Sequence, residues 1–140
     1  MSTRYLLDTN VLSEPVRPRP NPHVVRRLER SGGVLATASV VIHEMYYGVE
    51  RLPPSRKREA IERYLSHLLG STLIVLPYGT RAARWHARER ARLESQGFTP
   101  PYRDTQIAAI ALANDLVLAT ANVKDFERIQ GLEVEDWSRP

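Results

Sequence analysis

A chain of 140 residues, 42% hydrophobic and 26% charged, has the make-up of a single globular domain over residues 1–140, and neither a disordered nor a membrane-spanning protein is indicated. It contains no cysteine, which excludes disulfides and thiolate-held metals and leaves oxygen or histidine as the only metal donors. The net charge is +4, and of the 20 basic residues only Lys57 and Lys124 are lysine; a surface so rich in guanidinium forks fits nucleic acid as readily as it fits a plain solvated exterior.

The N-terminus has no basic region leading into a signal-peptide core and cleavage site, so the chain is expected in the cytoplasm. Tyr5-Leu6-Leu7 predicts a buried parallel strand that runs straight into Asp8, Thr9 and Asn10. Open α/β sheets bind ligands at the carboxyl ends of their strands. A carboxylate buried there needs a cationic partner, because without one it costs several kcal/mol or changes its protonation.

Pro15, Pro18, Pro20 and Pro22 next predict an irregular loop. Asn21 is expected to cap a helix with Pro22 at its first position, running to Arg30 and stopped by Ser31-Gly32-Gly33. Val34-Leu35-Ala36 predicts a second strand. Ser39 should cap the following helix, which carries Glu44 in an apolar setting and ends near Pro53-Pro54. In the helix opened by Ser55, Ile61, Tyr64, Leu65, Leu68 and Leu69 form an amphipathic stripe, closed by Gly70 and assigned to the core.

Leu73 to Leu76 predicts the third strand, and Thr80 opens a long helix ending around Gly97. Arg81, Arg84, Arg88 and Arg92 recur along one face of that helix, a stripe that suits either an RNA backbone or plain solvation. A loop with Pro100 and Pro101 then leads to Asp104, read as the start of a helix from Thr105 to Asn114. Leu116 to Thr120 is the clearest strand. A short helix around Phe126 and a strand near Leu132-Glu133-Val134 complete a pattern that predicts a parallel sheet covered on both faces.

Asp8, Glu44, Asp104, Asn122 and Asp125 stand out as polar residues at strand ends, at helix starts or on a buried helix face. Carboxylates brought together repel one another, and a hard divalent cation such as Mg²⁺ or Mn²⁺ makes the gathering favourable. Such an ion activates water and clamps phosphoryl oxygens, which is nuclease or phosphatase chemistry. Taken singly, Asp104 could equally be a helix cap and Asp125 a solvated turn residue. His23, His43, His67 and His86 lack metal-ligand spacing, and Trp85 and Trp137 are read as packing anchors.

Leu6-Leu7-Asp8-Thr9-Asn10-Val11-Leu12-Ser13-Glu14, Ser39 to Val41 with Glu44 and Tyr47 to Glu50, Asp104-Thr105-Gln106-Ile107-Ala108-Ala109, and Ala119 to Phe126 together resemble a PIN domain of the VapC and FitB toxin type. The resemblance covers essentially the whole chain. It implies a three-layer α/β/α fold with a parallel sheet of four or five strands, and a Mg²⁺- or Mn²⁺-dependent endoribonuclease that is the toxin of a type II toxin-antitoxin system. It also implies catalytic Asp8, Glu44 and Asp104, with Asp8 and Asp104 most directly on the metal, Thr9 and Asn10 in orienting roles, and Asn122 or Asp125 in support. Ala121 departs from the pattern, since arginine is common at that position.

The implied partners are RNA, a second copy of the chain in a homodimer, and a VapB/FitA-like antitoxin whose C-terminal segment approaches the acids, often with an arginine. DNA would be reached only through that antitoxin. A haloacid-dehalogenase-type phosphatase needs a second acid where Asn10 stands, and a nucleotide-binding module needs glycines that are absent from Asp8 to Glu14. The remaining alternative is a PIN-like protein that binds RNA or a partner without cutting.

Overall fold

The computed structural model describes residues 3–31 and 35–140. The predicted helix stop at Gly32-Gly33 and the predicted strand residue Val34 lie outside them. Within the described residues, β1 (Tyr5–Leu7), β2 (Leu35–Ala38), β3 (Ile74–Leu76), β4 (Val117–Ala119) and β5 (Val134–Glu135) form one sheet, parallel throughout, in the order β3-β2-β1-β4-β5. Six α-helices accompany it: α1 (Thr9–Leu12), α2 (Pro22–Arg30), α3 (Ser39–Glu50), α4 (Arg56–Leu69), α5 (Thr80–Ser95) and α6 (Tyr102–Ala113). The result is the expected three-layer α/β/α arrangement.

The strand order determines where a ligand can bind. From the central β1 the chain runs outward through β2 to β3, then crosses to the other side of β1 for β4 and β5. The reversal falls between β1 and β4, paired Leu7 to Ala119, so a crevice opens beyond their carboxyl ends, immediately before Asp8 and Thr120.

Burial explains the strand compositions. Leu6, Leu7, Leu118 and Ala119 are fully buried, as the continuous apolar runs of strands covered on both faces require. The edge departs from the expectation of two covered faces: in β3, Ile74 is 44% and Val75 37% exposed. Helix α6 is buried from Ile107 to Ala111, and its alanines let α5 and α3 pack closely against it. Tyr64 donates its hydroxyl to the Leu12 carbonyl at 2.6 Å, tying α4 to the end of α1, and burial raises the Tyr64 phenol to about 12. Leu69, expected in the same stripe, is instead 44% exposed, because the stripe turns outward in the last turn of α4. Trp137 is buried edge-on against Tyr5 at 5.2 Å with the Arg27 guanidinium over its ring, so it is the anchor the sequence suggested.

Several boundaries differ from expectation. Helix α1 and a 3-10 helix at Glu14–Val16 occupy ground assigned to irregular loop, because Pro15 falls in the first positions of its helix, where a missing N–H costs nothing. Ala38 rather than Ser39 is the N-cap of α3, without a side-chain bond, and α3 ends at Glu50. Helix α6 starts at Tyr102, since the backbone of Pro101 already leads into it; Asp104 therefore lies inside the first turn and is not a cap. β5 is Val134–Glu135, set by pairing of Val134 with Leu118 and Glu135 with Ala119.

Candidate active site

Asp8 is the first residue past β1 and is fully buried. Its backbone still belongs to the sheet, donating to the Ala119 carbonyl at 3.0 Å. Its side chain caps α1, where Oδ1 accepts from the Thr9 N–H at 2.8 Å. Oδ2 accepts from the Thr120 hydroxyl at 2.8 Å and, more weakly, from Asn10 Nδ2 at 3.4 Å. These donors fix the carboxylate in one orientation.

Glu44 reaches the same place from α3, which packs on α1. Its Oε1 accepts from the Thr9 hydroxyl at 2.8 Å, so Thr9 bridges the two acids through its backbone and its side chain. Asp104 comes from the first turn of α6, where the helix dipole favours a negative charge. Three carboxylates from three separate elements thus converge at the crevice.

A cation is already among them, and it belongs to this chain. Arg103 donates from Nη2 to Asp8 Oδ1 at 2.6 Å, from Nε to Glu44 Oε1 at 2.7 Å and from Nη1 to Asp104 Oδ1 at 2.7 Å. Nη2 also reaches the Thr9 hydroxyl at 3.0 Å. Burial works against the charged guanidinium, but the three carboxylates outweigh it and hold Arg103 protonated well beyond the ordinary arginine range. Burial pushes Asp104 above the usual carboxylate range; Arg103 pulls it down, while nearby Asp125 and Asp8 push it up again.

The other residues singled out in the sequence divide clearly. Asn10 lies in the site: it donates to the Thr120 hydroxyl at 3.2 Å and accepts from the Ala121 N–H at 2.9 Å. Asn122 contributes its backbone N–H to Thr120 Oγ1 at 3.0 Å, and its side chain faces outward. Asp125 is exposed and lines, with Asp104, Pro100 and Arg128, a cavity of about 240 Å³.

Arg92 leaves the expected stripe. It grips Glu89 with two bonds of 2.6 and 2.7 Å and the Arg128 carbonyl at 3.0 Å, a structural clamp that holds the chain after β4 against α5. Arg81, Arg84 and Arg88 are exposed and, with Trp85, line a shallow cavity of about 270 Å³ beside Leu112 and Ala113. Those last two residues end α6, whereas Asp104 lies in its first turn, so the stripe lies roughly 12 Å along the helix axis from the acids at the helical rise per residue.

Two participants escaped the sequence reading. Thr120 looked like the last residue of a strand, yet it is the buried donor to Asp8. Arg103 was only the end of a proline loop. The available signal was a charged residue placed directly before a candidate aspartate at a helix start.

The donor set suits a hard divalent ion, being carboxylate oxygens from Asp8, Glu44 and Asp104 already turned toward one cation. Among the described residues no three such groups are gathered into a ready-made ion site. The flat guanidinium of Arg103 stands between the acids and is bonded to all three.

The chain is similar to known proteins over nearly its whole length. Residues 5–132 match the model of the PIN domain. The chain is 35% identical over 137 residues to the tRNA(fMet)-specific endonuclease VapC of Salmonella typhimurium, covering 96% of this chain and 98% of that protein. It is 30% identical over 126 residues to toxin FitB of Neisseria gonorrhoeae, with 86% and 89% covered. The solved structure of DNA-bound VapBC from Salmonella typhimurium superposes with a TM-score of 0.84 at 30% identity, over 96% of this chain and 98% of that one.

Proposed function

The chain belongs to the PIN-domain family, and from that membership we propose that it is a ribonuclease toxin of the VapC/FitB type that cuts RNA phosphodiesters with the help of Mg²⁺ or Mn²⁺. The observation that carries the metal-dependent reading is the convergence of Asp8, Glu44 and Asp104 on a single cation at the switch point of the sheet. These three would hold the ion, Asp8 and Asp104 most directly. When bound, a divalent ion supplies a water of lowered pKa and electrostatic stabilisation for a phosphoryl group gathering charge.

The rest of the chemistry falls to the chain. Thr9, Asn10 and Thr120 fix the Asp8 carboxylate by hydrogen bonds, so its charge is aimed before substrate arrives and needs no reorganisation during reaction. Glu44 is a third exposed at its side chain, open enough to meet a water or a ribose oxygen and to take a proton at Oε2. Attack of water oxygen on phosphorus breaks the P–O3′ bond. The leaving O3′ takes up a proton, giving a 3′-hydroxyl and a 5′-phosphate.

A toxin of this type works beside an antitoxin, and the complex architecture of the VapBC structure it resembles supports a small protein partner for this chain as well. Contact with promoter DNA would come through that partner.

Asp8→Asn keeps the shape of the side chain and removes its charge. The purified variant should retain the fold by circular dichroism and lose Mn²⁺-dependent cleavage of bulk RNA, while the parent loses cleavage on chelation and regains it on Mn²⁺ addition. Cleavage by Asp8→Asn at the parental rate would overturn the assignment and leave a PIN-like protein that binds without cutting by this site.

A further inference from the structure

Of the three carboxylates, Asp8 is fully buried and Asp104 nearly so. Neither can be left as an unpaired anion without a large desolvation cost. Arg103 meets this need with four charge-assisted or hydroxyl contacts of 2.6–3.0 Å, using Nε, Nη1 and Nη2 together. It is tethered by the peptide bond to Asp104 itself, so it faces the acids at a very high effective concentration. The oxygens it takes up, Asp8 Oδ1, Glu44 Oε1 and Asp104 Oδ1, include those a divalent ion would need.

We propose that Arg103 is a built-in counter-ion that closes the acidic site, and that a divalent cation loads only by displacing its guanidinium. The proposal rests on the metal-dependent reading above and adds a regulatory contact to it. Two cations cannot share these oxygens: the guanidinium lies in their midst, and a metal ion beside it would meet like charge at close range. Metal loading and Arg103 pairing are therefore mutually exclusive, and by linkage each weakens the other by the same factor. The folded chain does not depend on metal to neutralise Asp8. Its activity is instead set by the cation concentration at which Arg103 gives way.

The test is Mn²⁺ binding followed by calorimetry on the purified chain and on Arg103→Gln, which keeps a polar side chain and removes the charge. Arg103→Gln should bind Mn²⁺ at least tenfold more tightly than the parent. Without metal it should unfold at a lower temperature than the parent, and saturating Mn²⁺ should raise its Tm by more than it raises the parent's. Asp8→Asn serves as the control that locates binding at this site.

Should Arg103→Gln fail to fold without metal, the parent chain carries the test alone. Its Arg103 Nε–H resonance should show slow exchange and a shifted position without metal, and should move to the free arginine position as Mg²⁺ is added. Equal Mn²⁺ affinity in the parent and Arg103→Gln, or an Arg103 resonance unmoved by saturating Mg²⁺, would overturn this inference while leaving the metal-dependent nuclease intact. No Mn²⁺ binding by either protein would overturn both.

Discussion

Thr120 offers the sharpest test of how the site is held. Its hydroxyl donates to Asp8 Oδ2 at 2.8 Å and accepts from the Asn122 N–H at 3.0 Å, with both Thr120 and Asp8 fully buried. Thr120→Val preserves shape and removes only the hydroxyl. A hydrogen bond to a charged acceptor is worth about 1.5–3 kcal/mol, and the apolar burial gained by the new methyl offsets part of that. The expected net loss is roughly 1–2 kcal/mol, which for a domain of this size lowers Tm by about 2–8 °C.

Asp8 then keeps its bonds to Thr9 and Arg103 and the weak one from Asn10 at 3.4 Å, but loses the stronger donor that fixes the far side of the carboxylate. A small misplacement of a catalytic group can cost on the order of 100-fold. Steady-state cleavage of a fluorescent RNA by Thr120→Val should show kcat reduced by tenfold or more with KM little changed, because the buried hydroxyl does not touch substrate. Thr120→Ser should restore both Tm and kcat. If Thr120→Val melted and cut like the parent, the hydrogen bond would be incidental and the account of a pre-aimed Asp8 would be wrong.

Other consequences can be checked separately. Charge reversal at Arg84 and Arg88, exposed beside Trp85, should weaken RNA binding in a filter assay and flatten its salt dependence, whereas unchanged affinity and slope would make the cluster mere surface. Arg92→Ala should act on Tm and not on the salt slope, since Arg92 is committed to Glu89 and the Arg128 carbonyl. Burial, with Arg90 nearby, lowers the pKa of His86 below its ordinary 6.5, so the fold favours the neutral ring. That stability is fully present above pH 6.5 and is lost as pH falls through the folded value; Tm should drop across this window in the parent, and His86→Phe should flatten the drop. Co-expression with any small protein encoded beside its gene should relieve growth arrest and give a co-purifying complex; arrest that persists with no complex would remove the toxin-antitoxin reading while leaving the nuclease reading in place.

The fold was legible because its signals are local and repeated. Leu6-Leu7 and Leu116 to Ala119 are apolar runs too short for helices, and α4 and α5 carry unmistakable helical periodicity. Asp8 was legible for a physical reason too: a carboxylate placed directly after a buried strand has few structural excuses. Glu44 stood out likewise in an apolar helix. What stayed hidden depends on contacts distant in sequence. Thr120 meets Asp8 across 112 positions, and nothing in Ala119-Thr120-Ala121 says which way the hydroxyl turns. Arg92 shares the spacing of Arg88 and Arg84, and only the return of the chain at Arg128 and Gln130 removes it from the stripe. Helix α1 was masked by prolines that turned out to lie just beyond it.

A carboxylate buried directly after β1 calls for a cation, and the sequence pattern points to a metal ion from outside the chain. The structure offers a second source in Arg103, the residue that adjoins the third acid. Its guanidinium bonds Asp8, Glu44 and Asp104 at 2.6–2.7 Å, so the carboxylates are neutralised from within the chain. Breaking such a pair by removing one partner leaves a buried charge without compensation, which is why Arg103 matters to the fold as well as to the site. Any further cation that reaches these oxygens therefore competes with a side chain already seated on them, and the strength of that competition is what the paired Mn²⁺ titrations of the parent and Arg103→Gln would read.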